Sequence, residues 1–176
     1  MKKAQGFNSF EFYFVMSVIG ILALIAMQRY MQLAEDTKRL SFDVVARHFH
    51  AAVFNHHNRW MMAQQQTKTF QLNSNGLDIQ FTAEGWPIDI GVGEQLAPVA
   101  SIPSCLRLWN NLLQNSPSIS YEGGDSYGSQ AYHLSFSLEN SCRYELVTEH
   151  PGEFYFEYAP VSGEVLFHMP PITKNN

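Results

Sequence analysis

The chain has no proline before Pro87, and Gly20 is the only glycine between residues 7 and 75. The two residues that break helices most strongly are therefore almost missing from its first 75 positions. Charge is scarce too. Only 15% of residues are Asp, Glu, Lys or Arg, and none of them falls within residues 12–28. With 14% aromatics the chain has ample material for a packed core, which excludes extended disorder. No low-complexity tract and no internal repeat is present. The G-x-S-x-G, H-E-x-x-H, P-loop and Rossmann glycine patterns are all absent. Also missing is the basic excess that nucleic acid requires. The formal net charge is −5, and setting Lys2 and Lys3 aside leaves nine basic against sixteen acidic residues, or −7. Nucleic acid is not an expected partner.

What is present begins at the amino end, with Met1-Lys2-Lys3-Ala4-Gln5-Gly6-Phe7-Asn8-Ser9-Phe10-Glu11 followed by the uncharged run 12–28. A secretory signal is cut after its apolar region, but no A-x-A-like site follows this run, and Ala26-Met27-Gln28-Arg29 is a poor substitute. Residues 7–27 would span about 31 Å as a helix, close to the ~30 Å of a hydrocarbon core. Lys2 and Lys3 favour a cytoplasmic amino end. The far flank is more balanced, with Arg29, Lys38 and Arg39 against Glu35 and Asp36. Glu11 is the costly residue, since a carboxylate in hydrocarbon costs roughly 2.5 kcal/mol or more and residues 12–28 carry no cation to offset it. Its partner is expected on another chain.

The short basic leader, the Gly6-Phe7 junction and Glu11 four residues further on resemble the leader of type IV pilins and the related pseudopilins. The resemblance implies cleavage between Gly6 and Phe7 by a leader peptidase, N-methylation of Phe7 by the same enzyme, and retention of the apolar helix. It implies that Glu11 serves assembly, neutralising the Phe7 amine of a neighbouring subunit. The partners implied are other pilin subunits, the leader peptidase/methyltransferase, an inner-membrane assembly platform, and inner-membrane lipid before assembly. The location implied is single-pass in the inner membrane with a periplasmic domain, then in an extracellular pilus or a periplasmic pseudopilus. The chain departs from the family pattern at two places. Many major pilins carry a proline well inside the apolar helix, where this chain has Gln28, and Asn8-Ser9-Phe10 replaces the commoner small-polar and aliphatic residues. Both departures point to a minor rather than a major subunit. A type II secretion or DNA-uptake pseudopilin, and a signal-anchored periplasmic enzyme or binding module, remain as alternatives.

Four segments are expected along the chain: a leader over residues 1–6, a transmembrane and assembly half-helix over 7–28, an amphipathic half-helix over 29–63, and a periplasmic globular domain over 64–176. The amphipathic half rests on Phe42, Val45, Phe49, Ala52, Val53, His56 and Trp60, which recur at spacings of three and four. Beyond it, Asn73-Ser74-Asn75-Gly76 is turn chemistry and residues 77–81 alternate as a short strand. Gly85-Trp86-Pro87 and Gly91-Val92-Gly93 punctuate a loop. Residues 101–115 form a helix with Pro103 near its start, and 116–130 form a loop containing Pro117, Gly123, Gly124 and Gly128. Strands are expected over 131–138, 142–148, 154–158 and 165–167, the last two closing a hairpin at Pro160-Val161-Ser162-Gly163. Short connections favour antiparallel pairing. The fold class is α+β, and a long amino-terminal spine helix on a small carboxy-terminal antiparallel sheet resembles the pilin ladle. Gly85-Trp86-Pro87, the helix after Cys105, and Cys142-Arg143-Tyr144 with the 158–163 hairpin resemble mannose-sensitive haemagglutinin-type pilus subunits in particular.

Cys105 and Cys142 both lie beyond the membrane segment, and an oxidising periplasm makes one disulfide their simplest reading. His48, His50, His56 and His57 cluster on the spine, but one helix face supplies only half of the ligands that zinc takes. Secretion-type major pseudopilins, which this leader also resembles, are known as a group for a loop calcium. Here Glu122 and Asp125 flank Gly123 and Gly124, without the acidic spacing of an EF-hand. No metal site and no cofactor are expected. Tyr121, Tyr127, Tyr132, Tyr155 and Phe156 read first as sheet core and cross-strand pairs, and second as an adhesive surface.

Overall fold

In a computed structural model, residues 9–64, 71–74, 77–91, 100–124, 127–137 and 139–171 are described. The chain divides into two compact units, Met1–Ser41 and Phe42–Asn176. The helix α1 (Ser9–Gln64) contributes to both. Its uninterrupted course follows from the absence of proline, and Gly20 is helical with open space around its Cα.

In the first unit, residues 12–27 of α1 are uncharged and exposed on every face. The segment Ser9–Met27 is long and apolar enough to cross a membrane, with a mean hydropathy of 2.2 and none of it buried. In the second unit α1 turns amphipathic. Phe42, Ala46, Phe49, Val53 and Trp60 are buried, while Val45, Ala52 and His56 are half-buried at the margins of the stripe. The buried face starts at Phe42, which is why residues 42–64 belong with the sheets that follow.

Among the described residues, eight strands form two sheets. The first is three-stranded and antiparallel, with β1 (Gln71–Ser74), β2 (Leu77–Phe81) and β3 (Pro87–Ile90) in chain order. A register shift lies between Gln80 and Phe81, opposite Pro87. All four residues of β3 are buried, and α2 (Ile102–Leu112) packs on it. The second sheet has five strands in the order β4 (Ile119–Tyr121), β5 (Tyr132–Phe136), β6 (Cys142–Leu146), β7 (Tyr155–Ala159) and β8 (Glu164–His168). The pairs from β5 to β8 are antiparallel. The β4–β5 pair is parallel, against the expectation of an all-antiparallel sheet. The glycine-containing stretch between them returns the chain to the same end of the sheet, with Gly123 and Gly128 at positive φ. The architecture is thus mixed α and β, with an amino-terminal helix and an antiparallel-rich carboxy-terminal sheet.

Two strands in this fold differ from the loops expected there. A turn does lead into Gly85-Trp86, but Pro87 already begins the four-residue strand β3. Proline is tolerated at a strand's first residue or a bulge, and Pro87 occupies both. Strand β4, within the expected loop 116–130, is only three residues long and sits between Pro117 and the glycines.

The core is aromatic. The Trp109 ring packs at 4.8 Å from Tyr132 and 5.0 Å from Tyr144, and Phe49 at 5.1 Å from Tyr144 and 5.3 Å from Phe156. Tyr132 Oη is buried without a hydrogen-bond partner, but three other buried ring tips are satisfied. Trp109 Nε1 donates to Pro117 O (2.9 Å), Tyr144 Oη to Cys105 O (2.8 Å) and Tyr158 Oη to Pro87 O (2.7 Å). Cys105 on α2 and Cys142 on β6 are joined by a disulfide with their Cα atoms 5.7 Å apart, and both are fully buried. Helix α2 is started by a reciprocal cap, in which Ser101 N donates to Ser104 Oγ (2.7 Å) and Ser104 N to Ser101 Oγ.

Candidate functional site

Sequence features point to the head of α1 first. Gly6 and Phe7 lie outside the described residues. Glu11 stands in the first turn of α1, where a carboxylate complements the positive end of the helix dipole. The residues following it, Phe12 to Val15 among them, are exposed. The structure therefore brings one acidic side chain to the amino end of an exposed apolar span. Such an end can bury its surface in lipid or against other helices.

The four spine histidines are not brought together. His48 and His50 are exposed, and the His50 ring lies 6.0 Å from Phe167. His57 stacks on Trp86 at 3.7 Å, and its Nδ1 is 2.8 Å from Gly85 O. His56 is half-buried, and burial followed by the nearby Arg59 charge lowers its pKa from the ordinary imidazole value. It lines a shallow open groove of about 320 Å³ with Ala51, Ala52, Asn55 and Arg59. Among the described residues, no group of three or more His, Cys, Asp or Glu side chains is placed to hold a metal ion. Asp125 of the 122–128 loop lies outside the described residues.

Of the five aromatic residues read as sheet core or adhesive surface, Tyr132 and Phe156 are buried, Tyr121 and Tyr155 are half-buried, and Tyr127 is exposed. Burial raises the Tyr132, Tyr144 and Tyr158 pKa values well above the ordinary phenol range.

A polar constellation on the outer face of the five-stranded sheet was not foreseen from sequence. Glu145 is 8% exposed and accepts hydrogen bonds from Gly152 N (2.6 Å) and Tyr127 Oη (3.0 Å), with Arg143 Nη2 at 3.4 Å. It thereby ties two loops to the sheet. Burial and the Glu145 carboxylate push the Tyr127 pKa up to about 12. Arg143 also lies over the Tyr155 ring at 3.6 Å from its centroid and reaches Glu157 at 3.8 Å. The Arg143/Glu145 alternation alone reads as an ordinary solvent face. Only the burial of Glu145 distinguishes it, and that depends on loops distant in sequence.

Ser120 Oγ is 2.9 Å from His133 Nδ1, a pairing that in the open would resemble a nucleophile and its base. Here Ser120 has no exposed surface and its hydroxyl donates to Tyr132 O (3.2 Å). The pair holds β4 against β5. A second ion pair is structural as well. Asp89, 4% exposed, accepts from Arg107 Nε (2.7 Å) and Nη2 (2.8 Å) and from Ile90 N (2.7 Å). The hydrogen bond to Asp89 raises the Arg107 pKa above its ordinary value.

No protein-family model, no curated protein and no solved structure matches the chain.

Proposed function

We propose that the chain is a minor structural subunit of a type IV pilus, or of a related type II secretion or DNA-uptake filament. It is held first in the inner membrane and then polymerised through its amino-terminal helix. The observation that carries this reading is a coincidence at one end of the molecule. Gly6-Phe7 and Glu11 stand at the head of an apolar span, and the same helix runs on to pack, over residues 42–64, beneath a disulfide-linked α+β fold. The fold is read as a pilin-like ladle, and the molecule's task as structural rather than catalytic.

In this reading, removal of residues 1–6 exposes the Phe7 amine, which is positively charged at neutral pH. A subunit already in the filament offers Glu11 to that amine. Exposed apolar side chains along Ser9–Met27 supply the bulk of the burial, and the ion pair sets axial register. Leaving one member of a desolvated pair alone costs roughly 3–5 kcal/mol, enough to disfavour neighbouring registers.

Peptide mass spectrometry of the mature protein is expected to find N-methyl-phenylalanine at Phe7. Material that keeps Met1 would overturn the reading. The Glu11→Val variant is expected to be cleaved normally and to be lost from sheared filaments. Its normal incorporation would remove Glu11 from the mechanism.

A further inference from the structure

Strand β8 closes one side of the five-stranded sheet. Among the described residues no strand pairs with its other edge. Its five residues, Glu164-Val165-Leu166-Phe167-His168, pair with β7 in unbroken register. Natural edge strands are usually blunted by lysine, proline, a bulge or an inward-pointing charge, and this one has none of these. Its apolar residues are open instead, with Leu166 56% and Phe167 42% exposed. The ionisable residues sit only at its two ends, and Glu164 and His168 are both exposed.

The order of these residues is self-complementary: an acid, three apolar residues, a base. Set antiparallel to itself about Leu166, the strand places Glu164 opposite His168 of a second copy, twice over. Val165 then meets Phe167, and Leu166 meets Leu166. Glu164, Leu166 and His168 share one face because strand side chains alternate, so both polar pairs flank the central leucines. Parallel pairing would set glutamate beside glutamate, and a slip of the antiparallel register would lose both polar pairs and turn leucine against charge. We infer that β8 is the interface of an isologous homodimer, in which two copies of this chain join their sheets edge to edge through residues 164–168.

A two-fold axis normal to the sheet reverses every direction in its plane, including that of the α1 segment 42–64 lying on it. The paired copies therefore run in opposite senses. This contact differs in kind from stacking within one filament, and it stands whether or not the filament reading holds.

The test uses the full chain in detergent. Among the described residues both cysteines are locked in the disulfide, so a Leu166→Cys variant carries one reactive thiol. Mild oxidation is expected to convert it to a covalent dimer. Val161→Cys, 64% exposed in the turn before β8, is expected to remain monomeric. Glu164→Lys should weaken dimerisation by about tenfold in sedimentation equilibrium, and adding His168→Glu should restore it. Glu11→Val should dimerise unchanged, which separates this contact from filament assembly. Cross-linking of Leu166→Cys no better than that of Val161→Cys, or failure of the charge swap to restore association, would overturn the inference.

Discussion

Asp89 and Arg107 form an asymmetric pair, because the carboxylate is sealed and the guanidinium is more than one-third exposed. Arg107→Ala leaves a buried charge supported only by Ile90 N and is expected to cost about 3 kcal/mol. Asp89→Ala leaves an arginine that water can reach and is expected to cost about 1 kcal/mol. Denaturant titration of the two variants should give that order. His56 adds a pH dependence. Its folded pKa is lowered, so the unfolded chain takes up a proton first as pH falls. Stability is then full above the ordinary imidazole value of about 6.5 and declines as pH drops from there through the folded value. His56→Gln should remove that part of the slope, measured as the denaturant midpoint against pH.

At the scale of elements, two turns are fitted around tryptophans. A Cβ on Gly163, at φ +72°, would overlap the Trp86 ring, and one on Gly85, at φ +84°, would overlap Trp60. Gly163→Ala is expected to lower the thermal midpoint by several degrees, about 2 kcal/mol from strain and overpacking together. Neither glycine could be assigned this role from sequence, because the tryptophans they contact lie far away along the chain. Other elements were readable. The apolar run, the three-and-four spacing of Phe42, Val45, Phe49, Ala52, Val53, His56 and Trp60, and Pro103 near a helix start all report local rules, and α1 and α2 lie close to where those rules put them. Strands β5 and β6 announced themselves by alternation, and β7 and β8 by the turn residues between them. Strand β3 did not, because a residue buried on both sides shows no alternation and Pro87 masks its start. The parallel β4 was hidden by its flanking glycines, whose freedom is what lets the chain return. At the candidate site, the reading of Gly6, Phe7 and Glu11 rests on local sequence alone, whereas Glu145 could not be found that way, because its burial is made by loops.

For the whole molecule, the Cys105–Cys142 link closes a loop with a sequence separation of 37 and is expected to contribute about 4 kcal/mol by restricting the unfolded chain. A Cys105→Ala/Cys142→Ala variant should lose about that much, read from its denaturation midpoint. Tyr158 carries a less obvious consequence. Its hydroxyl reaches from β7 in the larger sheet to the Pro87 carbonyl at the start of β3 in the smaller one, over a sequence separation of 71, while Tyr144 binds the larger sheet to α2. Neither sheet can peel away without stranding a phenol that has no route to water. Deuterium uptake should accordingly find the amides of β3, β6 and β7 opening together as one slow class, and in Tyr158→Phe the β3 amides should break from that class and exchange first.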